Sequence, residues 1–268
     1  MAQTERLFTD SWKRFDRAIE HAKALEVQWT ALVDPEAYQI VIEMNGDWTR
    51  GIARVVTSKP RPKNDLALEL GEMFYQLRAA LDAAIYQTAI LSGGFADATD
   101  EGRVEFPICP VPDNFKRNPI NKAPFPKELR DWLESIQPYN VAKASDPAFV
   151  RGLQLLHDCA RKDRHRRLHV VVAIPADTRL EFSVTPPGRI TAVQPLAANF
   201  LENETEFLAF QMEGATPETN ITIKLNTNAL IEVAIEDIPS VSSKELGKKF
   251  NWLFHYTKAA IEHLEAFF

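Results

Sequence analysis

Apolar residues recur at steps of three and four through residues 4–32. Phe8, Trp12, Phe15, Ile19, Ala22, Leu25, Trp29 and Leu32 line one face of a helix, with charges between them. Asp34-Pro35 stops it, because proline has no amide hydrogen to give a helix interior. The period then falls to two in "YQIVIEM" and "GIARVVTS". Between them Asn45-Gly46 accepts the positive backbone angles of a tight turn, so residues 38–57 read as an antiparallel hairpin. The proline-rich "KPRPKN" (59–64) suits neither regular structure. A second long helix is predicted from about Asp65 to Leu91, with Leu70, Met73, Phe74, Leu77, Leu81, Ala84, Ile85 and Thr88 on one face and Gly93-Gly94 closing it.

Residues 95–125 hold many prolines and few periodic positions and read as an irregular wrap, followed by short helices near 126–136 and 147–162. The character changes at His169. "HVVVAIP", "TRLEFSV", "RITAV", "TEFLAFQM", "NITIKLN" and "ALIEVAIED" are short, rich in β-branched and aromatic residues, and divided by turn residues. No helix-length segment separates most of them, which favours an antiparallel meander of about six strands over parallel βαβ units. A last helix starts near Ser242, with Glu245 completing a capping box, and buries Leu246, Phe250, Leu253, Thr257, Ile261 and Leu264. The predicted class is α+β. Residues 1–167 are mainly helical with the hairpin at 38–57, residues 168–268 form the sheet plus a helix returning to the bundle, and the expectation is one compact unit.

Composition narrows the function. The 268 residues are 45% hydrophobic and 25% charged, with a net charge of −6, so a wholly cationic nucleic-acid-coating surface is excluded. Cys109 and Cys159, the only cysteines, make neither a disulfide framework nor a thiolate zinc site. The start lacks the charged-then-apolar order of an export signal, and no apolar run nears bilayer length, so the expectation is a cytoplasmic protein with no membrane partner. Hydrolase elbow, phosphate-loop and dinucleotide-fold glycine motifs do not occur, and no cofactor is expected. A metal site from His157, Asp158, Asp163, His165 and His169 is not expected either. His169 adjoins the strand residues Val170-Val171-Val172, past the end of the helix that would align it with His165.

The main electrostatic feature is "CARKDRHRRLHVVV" (159–172). Arg161, Lys162, Arg164, Arg166 and Arg167 at a helix C-terminus offset its negative dipole end, which accounts for them without any ligand. The functional reading is a phosphate-contacting patch, joined by Lys59, Arg61 and Lys63 and by Lys116, Arg117, Lys122, Lys127 and Arg130. In that reading His165 or His169 is the acid/base group, with Arg164 and Arg166 stabilising charge on a phosphate. Arg78 and Asp82, one helical turn apart and bordering the apolar face, read as a structural ion pair tying their helix to "FPI" or "QPY".

The phrases "LGEMFYQLRAALDAAIYQ" (70–87), "FPI" (106–108), "QPY" (137–139) and "LLHDCARKDRHRRLHVV" (155–171) together resemble a widespread group of bacterial and phage proteins. In that group a helix reads roughly Leu-Arg-Ser-Ala-Leu-Asp-His, and a later Asp-Lys-His-Arg-x-Leu leads into strands. The likeness spans about residues 38–172 and implies architecture but no activity. More distantly, the chain is similar to the HEPN superfamily of helical ribonucleases and toxins, whose mark is an arginine, then four to six intervening residues, then a histidine. The corresponding residues here are Arg78 and Ala83, and a methyl group cannot handle the proton that the imidazole would. Arg14/His21, Arg151/His157 and Arg164/His169 also meet that spacing. Two functions compete: an RNA-binding or RNA-cleaving protein of the defence type, and a non-enzymatic interaction module. In the second, a protein partner or a second copy docks on the C-terminal helix, whose tail reads "EAFF".

Overall fold

The computed structural model describes residues 7–33, 38–57, 63–95, 98–165, 170–173, 180–196, 205–225, 232–235 and 246–268. In chain order the elements are α1 (Thr9–Val33), β1 (Tyr38–Met44), β2 (Arg50–Thr57), α2 (Lys63–Leu91), α3 (Ala98–Glu101), α4 (Pro112–Lys116), α5 (Lys127–Ser135), α6 (Pro147–His165), β3 (Val170–Ala173), β4 (Leu180–Val184), β5 (Arg189–Pro195), β6 (Thr205–Glu213), β7 (Ile221–Leu225), β8 (Glu232–Ile235) and α7 (Leu246–Glu265). The class is α+β, with antiparallel sheets and a C-terminal helix. No helix among the described residues is long and apolar enough to cross a membrane. The chain forms two compact units: a helical one from Met1–Leu25, Ala67–Leu168 and Gly247–Phe268, and a sheet one from Glu26–Leu66 and His169–Leu246.

The helical unit buries the stripes that the periodicity marks. Phe8, Trp12 and Phe15 of α1, Leu70, Phe74, Leu77 and Leu81 of α2, Leu153 and Leu156 of α6, and Leu253, Ile261 and Leu264 of α7 are all buried. Each such side chain contributes about 1.5–3 kcal/mol when taken out of water. Polar contacts set the register between helices. Ser11 Oγ on α1 donates to the carbonyl of Ala80 on α2 at 2.7 Å. Trp12 Nε1 donates to Glu265 Oε1 on α7 at 2.8 Å. Phe15 meets Phe254 edge to face at 5.8 Å, and Phe74 meets Phe250 at 5.9 Å, so α7 lies against both α1 and α2. Gly71 lets α6 close on α2, because a Cβ there would lie 2.6 Å from Asp163 Cγ.

In the sheet unit the four-stranded sheet runs β1-β2-β6-β5, all antiparallel. The hairpin forms over 38–57 around the "NGDW" turn, but Asn45-Gly46 does not supply the positive backbone angle. Met44 pairs with Gly51, and the left-handed residue is Trp48 at φ 60°. Side-chain acceptors close this longer loop: Arg50 N–H donates to Asn45 Oδ1 at 2.8 Å and Thr49 N–H to Asp47 Oδ1 at 3.1 Å. The later strands are nested rather than successive. β5 pairs with β6, β4 with β7 around them, and β3 with β8 outside those. Pro186-Pro187 separates β4 from β5, since neither residue can donate to a ladder. The irregular stretch 95–125 contains α3, α4 and a single 3-10 turn at Pro119–Lys122. The Glu245 capping box lies outside the described residues.

Candidate functional site

Of the predicted phosphate contacts, Arg161 and Lys162 have described side chains. Both lie beside Asp158 on α6 and partly offset the upward push that burial gives its carboxyl. Lys63 begins α2 and Arg164 and His165 close α6, but their side chains, like residues Lys59, Arg61, Arg166, Arg167 and His169, lie outside the described set. The predicted catalytic pair, His165 and His169, thus lies outside the described side chains. The second basic island is engaged locally. Lys127 pairs with Asp131 at 2.5 Å, Lys116 with Asp113 at 4.0 Å, and Arg130 reaches the carbonyl of Ala123 at 3.3 Å. No group of three potential ligands able to hold a metal ion occurs among the described residues.

The site that does form surrounds Arg78. In sequence it is a cation set among Phe74, Leu77 and Leu81, and the helix carries it inward with them until it is only 3% exposed. One nitrogen does all its bonding. Nη2 donates to the carbonyl of Phe106 at 2.7 Å, lies 2.9 Å from Asp82 Oδ1, and is 3.7 Å from Glu105. Asp82 Oδ1 in turn accepts the Phe106 amide at 2.8 Å. The "FPIC" segment is thus held by Arg78 and Asp82 at Phe106, and beyond that by fully buried Gln137. The Gln137 side chain accepts from Cys109 N–H at 2.8 Å and donates to Pro107 O at 3.0 Å. These contacts give "FPI" and "QPY" one structural reason.

Arg78 Nε and Nη1 are buried and have no hydrogen-bond partner. Each unmet donor costs about 1–3 kcal/mol, and more on a charged group, so a native protein meets such donors with water or ligand. Arg78 stands in the wall of a cavity of about 290 Å³. The other walls include Arg14 of α1, Tyr75, Asp82 and Ala83 of α2, and Ala160 of α6. Arg14 is exposed and makes no ion pair or hydrogen bond among the described residues. Tyr75 is 46% exposed. Ala160 immediately precedes Arg161, so the basic stretch starts at the α6 wall. His21, which shares the spacing mark with Arg14, does not line this cavity and instead bonds through Nδ1 to Glu69 at 2.7 Å.

Arg78 and Ala83 both line the cavity, although a five-residue step sets them about 140° apart around the helix. In sequence Arg14 stands out only by its spacing to His21, and Tyr75 by nothing, because an exposed arginine and an exposed tyrosine carry no periodic signal. The readable sign was Arg78 itself, a charge interrupting an apolar stripe. Burial dominates at Asp82, raising its carboxyl above the usual aspartate range against the lowering by Arg78 and the Phe106 amide.

No family model, curated protein or solved structure matches this chain. What the site does must be argued from its own geometry.

Proposed function

We propose that the chain binds RNA through a phosphate group seated in the cavity between α1, α2 and α6, and holds it without cleaving it. The observation that carries this reading is the buried Arg78 guanidinium, Nε and Nη1 unmet, in the wall of a cavity whose lining includes a second arginine, Arg14, with no partner among the described residues. A phosphate oxygen accepts from such donors with charge-assisted strength, and a pair of arginines is the usual protein answer to that group. Tyr75 supplies an exposed ring beside the cations, the platform that single-stranded ligands stack on. Arg161 and Lys162 directly follow the lining residue Ala160 on α6 and add positive charge to that helix. Ala83 supplies no proton-transfer group where the resemblance would put one, which favours retention over cleavage.

Arg14 is the residue to test, because it is exposed, has no partner among the described residues, and lies outside the core. Arg14→Ala should weaken binding of a generic single-stranded RNA about tenfold, roughly 1.4 kcal/mol, in a mobility shift, with unchanged melting temperature. Wild-type affinity should fall steeply with added salt, and the RNA should be recovered whole. Equal affinity of wild type and Arg14→Ala, or binding indifferent to salt, removes the proposal.

A further inference from the structure

We infer that Asp82 makes the cavity take up its anion together with a proton. This rests on the anion-binding reading above and concerns the same cavity.

Arg78 is already compensated at rest. Its Nη2 lies 2.9 Å from Asp82 Oδ1 and 3.7 Å from Glu105, so two carboxylates share one buried cation. An anion drawn to the same guanidinium puts another negative charge beside Asp82. In a partly dry site, that neighbour disfavours an ionised carboxyl. The Asp82 side chain offers a way out. Oδ1 is committed to Arg78 and to the Phe106 amide, whereas Oδ2 has no hydrogen bond among the described residues. Protonated at Oδ2, Asp82 stops repelling the anion and donates a hydrogen bond to it.

The charged surroundings permit this. Facing Asp82 are Arg78 and Tyr75 from its own helix, Glu105 from the segment after α3, and Arg14 from α1 across the cavity. Among the described residues α6 contributes Ala160 to the lining, which does not titrate. Arg14 alone has no opposing carboxylate among the described residues, so it supplies attraction while the proton removes the repulsion. Burial has already moved the Asp82 carboxyl toward protonation. By linkage, a ligand that raises the proton affinity of Asp82 is itself held more tightly when that proton is present.

The experiment uses the full chain and sulfate, which has the tetrahedral shape of phosphate but no proton that titrates near neutrality. Any proton taken up on binding therefore belongs to the protein. Titration calorimetry in two buffers of different ionisation heat should show proton uptake of up to about one per site on binding, and affinity should fall, by up to about tenfold per pH unit, as the pH rises. Asp82→Asn, which keeps an acceptor for the Phe106 amide, should bind sulfate with no proton uptake and a flat pH profile. Sulfate binding without proton uptake in the wild type overturns the role of Asp82 and leaves the anion site standing. So does uptake that persists in Asp82→Asn. No sulfate binding by the wild type anywhere from about pH 5 to about pH 8 overturns both readings. The wild-type measurement decides the matter even if the variant fails to fold.

Discussion

Arg78 holds a charge where its neighbours on the helix are Leu77 and Leu81, each fully buried. Taking away one member of a buried ion pair strands the other, so Arg78→Leu should cost about 3 kcal/mol in urea unfolding even though leucine suits the apolar stripe. The same reasoning runs the other way at Asp163. Burial and the nearby Glu72 both raise its carboxyl above the ordinary range, so its ionised form is a burden on the folded state. That group's stabilising contribution is complete below the unfolded value, about pH 4, and disappears as pH rises through the folded one. Asp163→Asn should therefore melt higher than wild type at neutral pH, and the gap should close as the pH drops toward about 4. Residue by residue, sequence exposes the type of side chain but not its unmet valences. That Arg78 and Asp82 sit one turn apart is readable from the helix period, whereas the bare Nε and Nη1 depend on what Phe106 and Glu105, far along the chain, leave unoccupied.

Helices are the elements that sequence renders best, because a single period fixes both their existence and their buried face. α1 and α2 start and end within a few residues of the pattern's limits, and Phe15 on the apolar face of α1 is met by Phe254 of α7. Contacts between elements depend on small residues that the period does not single out. Gly152 of α6 is one, since a Cβ there would lie 2.5 Å from the ring of Tyr256 on α7. Gly152→Ala should lower stability by about 1–3 kcal/mol through overpacking, read as a fall in melting temperature. Strands are half legible. Alternation marks each one, but it cannot say that β2 takes β6 as its second neighbour, a pairing that spans the intervening helices in sequence. The loop at 45–49 shows the same limit at short range, where the Asn45 and Asp47 side chains override the tight turn that Asn45-Gly46 suggests.

For the molecule as a whole, the division into two units follows the chain only in part. A boundary near residue 167 is visible in the composition, and the units do change hands at Leu168/His169. The hairpin 38–57, grouped with the helices by its place in the sequence, belongs with the sheet, and Gly247–Phe268 belongs with the helices. A chain cut at 167/168 therefore separates β2 from β6 and α7 from α1. Fragments 1–167 and 168–268 made separately should each bind a hydrophobic dye and lack a cooperative melt, and mixing them during refolding should recover one. Independent cooperative unfolding of fragment 1–167 would contradict this.

Covering Phe15 and Phe74 with Phe254 and Phe250 has a further result for biosynthesis. As the polypeptide leaves the ribosome, α1 and α2 emerge early with a greasy flank that nothing yet shields. The strands of the other unit must all be translated before the segment that seals that flank appears. During that interval the nascent chain presents a sticky surface of the kind chaperones engage.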